Sequence, residues 1–359
     1  MRLRRLELSE FRSYAHAEVE LADGLTAILG PNGHGKTNLL EAVGWLCRLS
    51  SFRGAAAEAL VRSGAERAVV RGEAEREGRE LLIEAEISLA GRNRVQLNRQ
   101  RVHRARDLAG ALQAVVFAPD DLVLVKGGPA ERRGFLDETL AAISAKHDAQ
   151  RGDVDRILRQ RNALLRQTGG RPDSDALLTL DVWDAQLASV GEAVARRRLA
   201  LLERLVPLIG AAYDALAREE ADITAVYEAP WLESGLAAAL VAGRRDDLRR
   251  GVSTVGPHRD ELVLRVGPLS SRSQASQGEQ RSLALALRLA AHRLITEHTG
   301  SAPLLLLDDV FSELDPARSA ALVAALPAAQ TLLTSAVGPP EGAVPERILC
   351  VRQGVVCAR

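Results

Sequence analysis

Gly30-Pro31-Asn32-Gly33-His34-Gly35-Lys36-Thr37 satisfies the pattern G-x-x-x-x-G-K-[ST] at every required position. It follows an apolar run, Leu25-Thr26-Ala27-Ile28-Leu29, that reads as a buried strand, and it opens a helical pattern from Asn38 to Leu49. Glycines in such a loop turn backbone N–H groups inward on a β-phosphate, while Lys36 reaches the β and γ oxygens and the Thr37 hydroxyl takes Mg²⁺. The stretch predicts binding of a nucleoside triphosphate, with Gly30 to Thr37 as the phosphate contacts. Lysine usage supports this, because the chain has only Lys36, Lys126 and Lys146 and otherwise uses arginine for positive charge. A lysine at 36 is demanded by chemistry rather than by composition.

At 359 residues the chain exceeds a usual single core, so two lobes are expected. A hydrophobic content of 47% beside 26% charged residues predicts a soluble globular protein. The stretch Met1-Arg2-Leu3-Arg4-Arg5-Leu6-Glu7 is basic but lacks a following apolar core, which predicts no secretion signal. No run approaches the ~20 apolar residues of a membrane span. Cys47, Cys350 and Cys357 are odd in number and lack metal-ligand spacing, so reduced thiols and a cytoplasmic setting are expected. Net charge is zero, and any surface for a polyanion must therefore be local.

Residues 2–8 and 17–21 alternate apolar and polar side chains, as half-exposed strands do, and feed the Leu25–Leu29 strand. Three further strand-like runs, Ala68–Glu75, Glu80–Ser88 and Arg94–Leu97, with a turn at Asn98-Arg99-Gln100, predict an antiparallel flap over about 68–102 beside the nucleotide core. Arg92, Arg94, Arg99, Arg101, Arg104 and Arg106, with His103 and no acid before Asp107, form the densest basic cluster. It reads either as a solvated hairpin face or as a patch that tracks nucleic-acid phosphates. Beyond Lys126-Gly127-Gly128-Pro129 the pattern turns helical, from Arg132 to about Gln167 and, after Gly169-Gly170-Arg171-Pro172, from Asp175 to about Ala215. Residues 125–250 thus read as a helical lobe inserted into an α/β core built from 1–124 and 251–359.

Leu304-Leu305-Leu306-Leu307-Asp308-Asp309 reads as a buried parallel strand ending in two acids. Placed beside Thr37, Asp308 is the carboxylate that orders Mg²⁺, and Asp309 is positioned to polarise a water; an ordinary strand followed by a helix cap is the plainer alternative. Upstream, Ser276-Gln277-Gly278-Glu279-Gln280 offers a hydroxyl, a glycine and a helix N-terminus, either as an anion site or as a capping box closed by Glu279.

The Lys36 loop, the Ser276–Gln280 segment, Asp308-Asp309 and Ser312-Glu313-Leu314-Asp315 together resemble the SMC-like ABC ATPases. The phrases Leu8-Ser9-Glu10-Phe11-Arg12-Ser13-Tyr14, Phe117-Ala118-Pro119-Asp120-Asp121-Leu122, Gly128-Pro129 with Arg132-Arg133, and Gly256-Pro257-His258-Arg259-Asp260 are similar to the RecF family of bacterial recombination proteins. The resemblance implies an ABC-type P-loop ATPase head with ATP and Mg²⁺ as cofactors. Ser276, Gln277, Gly278 and Glu279 would act as the signature that closes a partner subunit's nucleotide, and Ser312 and Asp315 as the D-loop. It implies a homodimer formed on ATP, double-stranded or gapped DNA as ligand, and work with RecR, and through it RecO and RecA, in gap repair near the nucleoid. Lys36 and Asp309 would be the catalytic residues and Thr37 and Asp308 the metal contacts. Two departures from the wider pattern stand out: Asp309 occupies a place where transporters carry Glu, which predicts slow hydrolysis, and Thr334-Ser335 stand where a switch histidine is expected. Gln113 is the nearest candidate for a Q-loop glutamine. A nucleotide-gated docking module without DNA contact and a transporter subunit are the competing readings.

Overall fold

The computed structural model describes residues 1–102, 108, 110–217 and 221–358. In chain order, β1 (Arg2–Phe11) and β2 (Tyr14–Glu20) form a hairpin, β3 (Leu25–Leu29) runs into the phosphate-type loop, and α1 (Lys36–Arg48) leaves it. Then come β4 (Arg67–Arg76), β5 (Arg79–Ser88), β6 (Arg94–Leu97), β7 (Gln100–Val102) and β8 (Ala114–Phe117). The middle of the chain holds α2 (Leu122–Lys126), α3 (Pro129–Ile143), α4 (Ala145–Gln167), α5 (Ser174–Ala217), β9 (Ile223–Glu228) and α6 (Leu236–Arg250). It closes with β10 (Glu261–Val266), β11 (Leu269–Ser270), α7 (Gln277–Thr299), β12 (Leu304–Leu307), α8 (Pro316–Ala325), β13 (Thr331–Ser335), β14 (Arg347–Arg352) and β15 (Val355–Ala358).

These elements divide between two compact units, Met1–Asp121 with Ala211–Glu220 and Arg281–Arg359, and Leu122–Gly210 with Ala221–Gln280. The first unit holds two six-stranded sheets. One, in the order β15-β14-β3-β13-β12-β8, is parallel except for its edge strand β15. Leu304 to Leu307 on β12 are all fully buried, as a parallel strand covered on both faces requires. The other sheet, β2-β1-β4-β5-β6-β7, is antiparallel throughout. The expected flap is therefore larger than 68–102. The alternating residues of β1 do not lead a core strand; β1 pairs with β4, and Leu3, Leu6 and Leu8 turn inward. One apolar cluster joins both sheets through α1, with Leu39, Leu40, Val43 and Leu46 between Leu6, Val70 and Ile83 on one side and Ile28, Leu304 and Leu306 on the other.

The second unit is not helical alone, because it carries the sheet β11-β10-β9. The sequence boundary at 250 also moves. Pairing of β10 with β9 from Glu261↔Glu228 to Val266↔Ile223, and a bidentate Arg132–Glu261 pair at 2.9 and 2.8 Å, draw residues 251–280 into this unit. The expected single helix from Arg132 to Gln167 is two helices. Ser144 takes an extended conformation and its Oγ accepts the His147 N–H, capping α4. Arg161, fully buried, donates to Asp184 and Asp247 at 2.6 Å each and to Ser253 at 2.8 Å. Among the described residues no helix is long and apolar enough to cross a membrane.

Candidate nucleotide-binding site

Parallel pairing decides where the site forms. β3, β13 and β12 lie side by side in one direction, with Leu29 opposite Ser335 and Leu333 opposite Leu307. Whatever follows their carboxyl ends therefore meets along one edge. Three segments do so: the loop from Gly30, the end of β13 at Thr334-Ser335, and Asp308-Asp309.

Asp308 is 6% exposed, and its Oδ1 accepts hydrogen bonds from Thr37 Oγ1 at 2.8 Å and Thr334 Oγ1 at 2.9 Å. Burial pushes its carboxyl above the usual range. The two hydroxyls and the charge of Arg53 oppose that rise, and neighbouring Asp309 adds to it. Thr334 Oγ1 also accepts the Asp309 N–H at 2.9 Å. This bond supports an unusual backbone, for Asp309 sits at φ 50°, in the left-handed region that non-glycine residues avoid. Asp309 is half-buried.

Gly33 and Gly35 take φ values of +79° and +111°, and Gly35 caps the N-terminus of α1. The space where a Cβ of Gly33 would stand has no atom within 4 Å, so the loop is open there. Lys36 Nζ donates to Gly30 O at 2.7 Å, Pro31 O at 3.1 Å and Asn32 Oδ1 at 3.2 Å. Burial lowers its pKa, against the pull of Asp309 and Asp308. His34 Nδ1 is buried without a hydrogen-bond partner among the described residues. An ammonium, a run of amides at a helix N-terminus and a hydroxyl–carboxylate pair form a donor set suited to a polyphosphate with a divalent cation. Among the described residues no group of three or more His, Cys, Asp or Glu could hold a metal ion.

Sequence reasoning missed the residues that brace this loop. Tyr14 donates its hydroxyl to Gly35 O at 2.8 Å, Asn38 Nδ2 donates to Ser13 Oγ at 3.0 Å, and Gly354 N–H donates to His34 O at 3.2 Å. Arg12 grips the fully buried Glu41 of α1 with two bonds, 2.8 and 2.9 Å. The phrase from Leu8 to Tyr14, which holds Arg12, Ser13 and Tyr14, carried family resemblance alone; its position beside the loop is visible only once β1 and β2 are paired. Thr334 had no signal beyond the missing histidine.

Ser276, Gln277, Gly278 and Glu279 belong to the second unit, where Ser276 Oγ accepts the Glu279 N–H at 3.2 Å and Glu279 Oε2 accepts the Ser276 N–H at 2.6 Å, a complete capping box. Ser312 is exposed and donates to Asp309 O at 2.7 Å, while Asp315 caps α8 through the Arg318 N–H at 2.8 Å. Gln113 does not reach the site. It precedes β8, which runs parallel to β12, and so marks the opposite edge of the sheet from Asp308. Arg92, Arg94, Arg99 and Arg101 are exposed, and none forms an ion pair with another described residue; Arg104 and Arg106, with His103, fall outside the described residues.

Comparison with known proteins agrees with this fold. Residues 2–335 match the family described as RecF/RecN/SMC N terminal domain. The chain is 46% identical over 355 residues to the DNA replication and repair protein RecF of Streptomyces avermitilis, and 45% identical over 359 residues to that of Frankia alni, with 94% of each chain covered in both alignments. A solved structure of the recombination mediator protein RecF-ATP in the RecFOR pathway superposes with a TM-score of 0.91 at 27% identity, over 99% of this chain and 97% of that one. An Smc head bound to the C-winged helix domain of ScpA superposes at 0.61 with 18% identity over 100% and 97%, a likeness of fold, that of an ABC-type ATPase head. On the breadth of the family match and the identity to its curated members, the chain belongs to the RecF family.

Proposed function

We propose that the chain is an ATP-dependent DNA-binding protein of recombinational gap repair. ATP brings two copies together head to tail around double-stranded DNA near a junction with single strand, and slow hydrolysis releases them. The observation that carries this reading is the Thr37–Asp308 hydrogen bond at 2.8 Å, because it joins residues 271 positions apart into the pair a magnesium nucleotide requires. The solved relative that holds ATP and the curated relatives of DNA replication and repair support the ligand and the setting.

Bound Mg²⁺–ATP would supply the phosphoanhydride whose cleavage resets the assembly. Lys36 would exchange its three loop acceptors for phosphate oxygens, and Thr37 and Asp308 would hold the cation. Asp309 would orient the attacking water, held in place by Thr334. Ser276, Gln277, Gly278 and Glu279, with Ser312 and Asp315, would close the nucleotide of the partner copy. Arg92, Arg94, Arg99 and Arg101 form the candidate DNA contact, with Arg104 and Arg106 continuing it in sequence. DNA is expected to stimulate a weak ATPase, and the assembled clamp to serve RecR, and through it RecO and RecA. In this reading the second unit is the lobe inserted into the head.

The test is binding of a labelled gapped duplex at fixed salt, with and without ATP, using the wild type and Lys36→Met. Tight binding that needs ATP and is lost in the variant is the expected result. DNA binding indifferent to both ATP and the substitution would sink the gated clamp.

A further inference from the structure

Cys350 and Cys357 stand directly opposite each other on the antiparallel pair β14–β15. Opposite residues of such a pair project to one face with Cα atoms about 4.5–5.5 Å apart, inside the window of about 4.4–6.8 Å that a disulfide accepts. Both are free thiols, Cys350 half-buried and Cys357 exposed on the edge strand of its sheet. The third cysteine, Cys47, packs against the core, where burial pushes its thiol up to about 12 and quenches it as a nucleophile. Cross-strand Cβ atoms sit roughly an ångström farther apart than the ~3.8 Å of a relaxed disulfide. Closing the bond would draw the strands together, and a bond under such strain is readily reduced again.

The same hairpin braces the phosphate-type loop. Its turn, Gln353-Gly354, has φ values of 50° and 76°, and the Gly354 N–H reaches His34 O. The approach is so close that a Cβ on Gly354 would lie 2.2 Å from Ser13 O. Cys350 itself is the register partner of Leu29, the last residue of β3 before Gly30.

We propose that Cys350 and Cys357 are a peroxide-sensitive dithiol whose oxidation to an intrachain disulfide loosens the phosphate loop. The Cys357 thiolate attacks hydrogen peroxide, the O–O bond breaks, and a sulfenic acid and one water result. The Cys350 thiolate then displaces the sulfenic hydroxyl, forming the S–S bond and releasing a second water. Two thiols lose two electrons and two protons to one peroxide, which leaves as two waters. A small dithiol reductant reverses the change.

The experiment treats the full chain with hydrogen peroxide, alkylates the remaining thiols and maps the peptides by mass spectrometry. Expected are a Cys350–Cys357 cross-linked peptide, reversal by dithiothreitol, and no such peptide in Cys357→Ser. Cys357 oxidised to a sulfenic or sulfinic acid beside an alkylatable Cys350, or Cys357–Cys357 dimers, would overturn the proposal. The link to the loop rests on the ATP reading above. Oxidised wild type should bind ATP several-fold more weakly, with affinity restored by reduction and Cys357→Ser indifferent to peroxide. Equal affinity in both redox states refutes the coupling. If the reduced protein binds no ATP, the functional reading fails while the disulfide map stands.

Discussion

One hydroxyl, Thr334 Oγ1, touches both acids of the site, donating to Asp308 and accepting from the Asp309 backbone. Thr334→Val keeps the shape and removes both bonds, leaving a half-buried N–H and a buried carboxylate each short of a partner at a cost of about 1–3 kcal/mol. ATP turnover should fall at least ~10-fold while ATP affinity moves by less than ~3-fold, with rescue by Thr334→Ser; steady-state hydrolysis and equilibrium binding separate the two. An equal loss in affinity would show that Thr334 merely holds the fold. Asp308 makes a second prediction. Because burial raises its pKa, the folded state favours the neutral acid. Its contribution to stability is complete below the unfolded carboxylate range, near pH ~4, and is lost as pH rises through the higher folded value. Asp308→Asn removes that loss, so the nucleotide-free variant should melt above its parent at pH 7 and converge with it in acid, although nucleotide hydrolysis disappears. A variant that melts lower at pH 7 contradicts the assignment of a buried, strained charge. The meeting of Thr37 with Asp308 was legible in the G-x-x-x-x-G-K-[ST] pattern and in an apolar run that ends in an acid. Thr334 was not, since its meaning comes from a strand neighbour 26 residues away.

At the scale of elements, the helix opened by Ser276 lets capping and signature roles be separated. Ser276→Asp keeps a side-chain acceptor for the Glu279 N–H but brings negative charge to a place that, in the proposed dimer, would face the partner's phosphate. Thermal stability should hold within about 0.5 kcal/mol of the parent while ATP-driven dimerisation is lost; light scattering with and without ATP reads the second quantity. Dimers that form normally would leave Ser276 as a cap alone. Strands and helices came through in the sequence where an apolar run or a sustained period marked them, as on β12 and in α5. Sheet membership did not, because alternation tells that β1 has one buried face but not which sheet it faces. The break at Ser144 was invisible for a related reason: a single extended residue interrupts a helix without disturbing the polar composition around it.

For the whole molecule, zero net charge means that the proposed DNA affinity would have to come from a patch whose charges are not already neutralised. On the antiparallel sheet Arg71 is committed to Glu7 and Glu84, and Arg5 to Glu18 and Glu73, whereas Arg94, Arg99 and Arg101 have no such pair among the described residues. Replacing those three with glutamine should weaken binding of duplexes of any sequence. The slope of log affinity against log salt should flatten by about 0.9 for every phosphate left without its arginine. An unchanged slope would move the DNA surface elsewhere.

The partners of the second unit bear on how its chain can be cut and exchanged. A cassette ending at Arg250 would strip Arg161 of Ser253, Arg198 of the Pro257 carbonyl, Tyr227 and Trp231 of Asp260, and Arg132 of Glu261. It would also leave β9 as an open edge. Recombination between genes can therefore transplant this lobe only by carrying its far flank through Gln280 as well, and a hybrid joined at the obvious helical boundary inherits buried polar groups cut off from the partners that satisfy them.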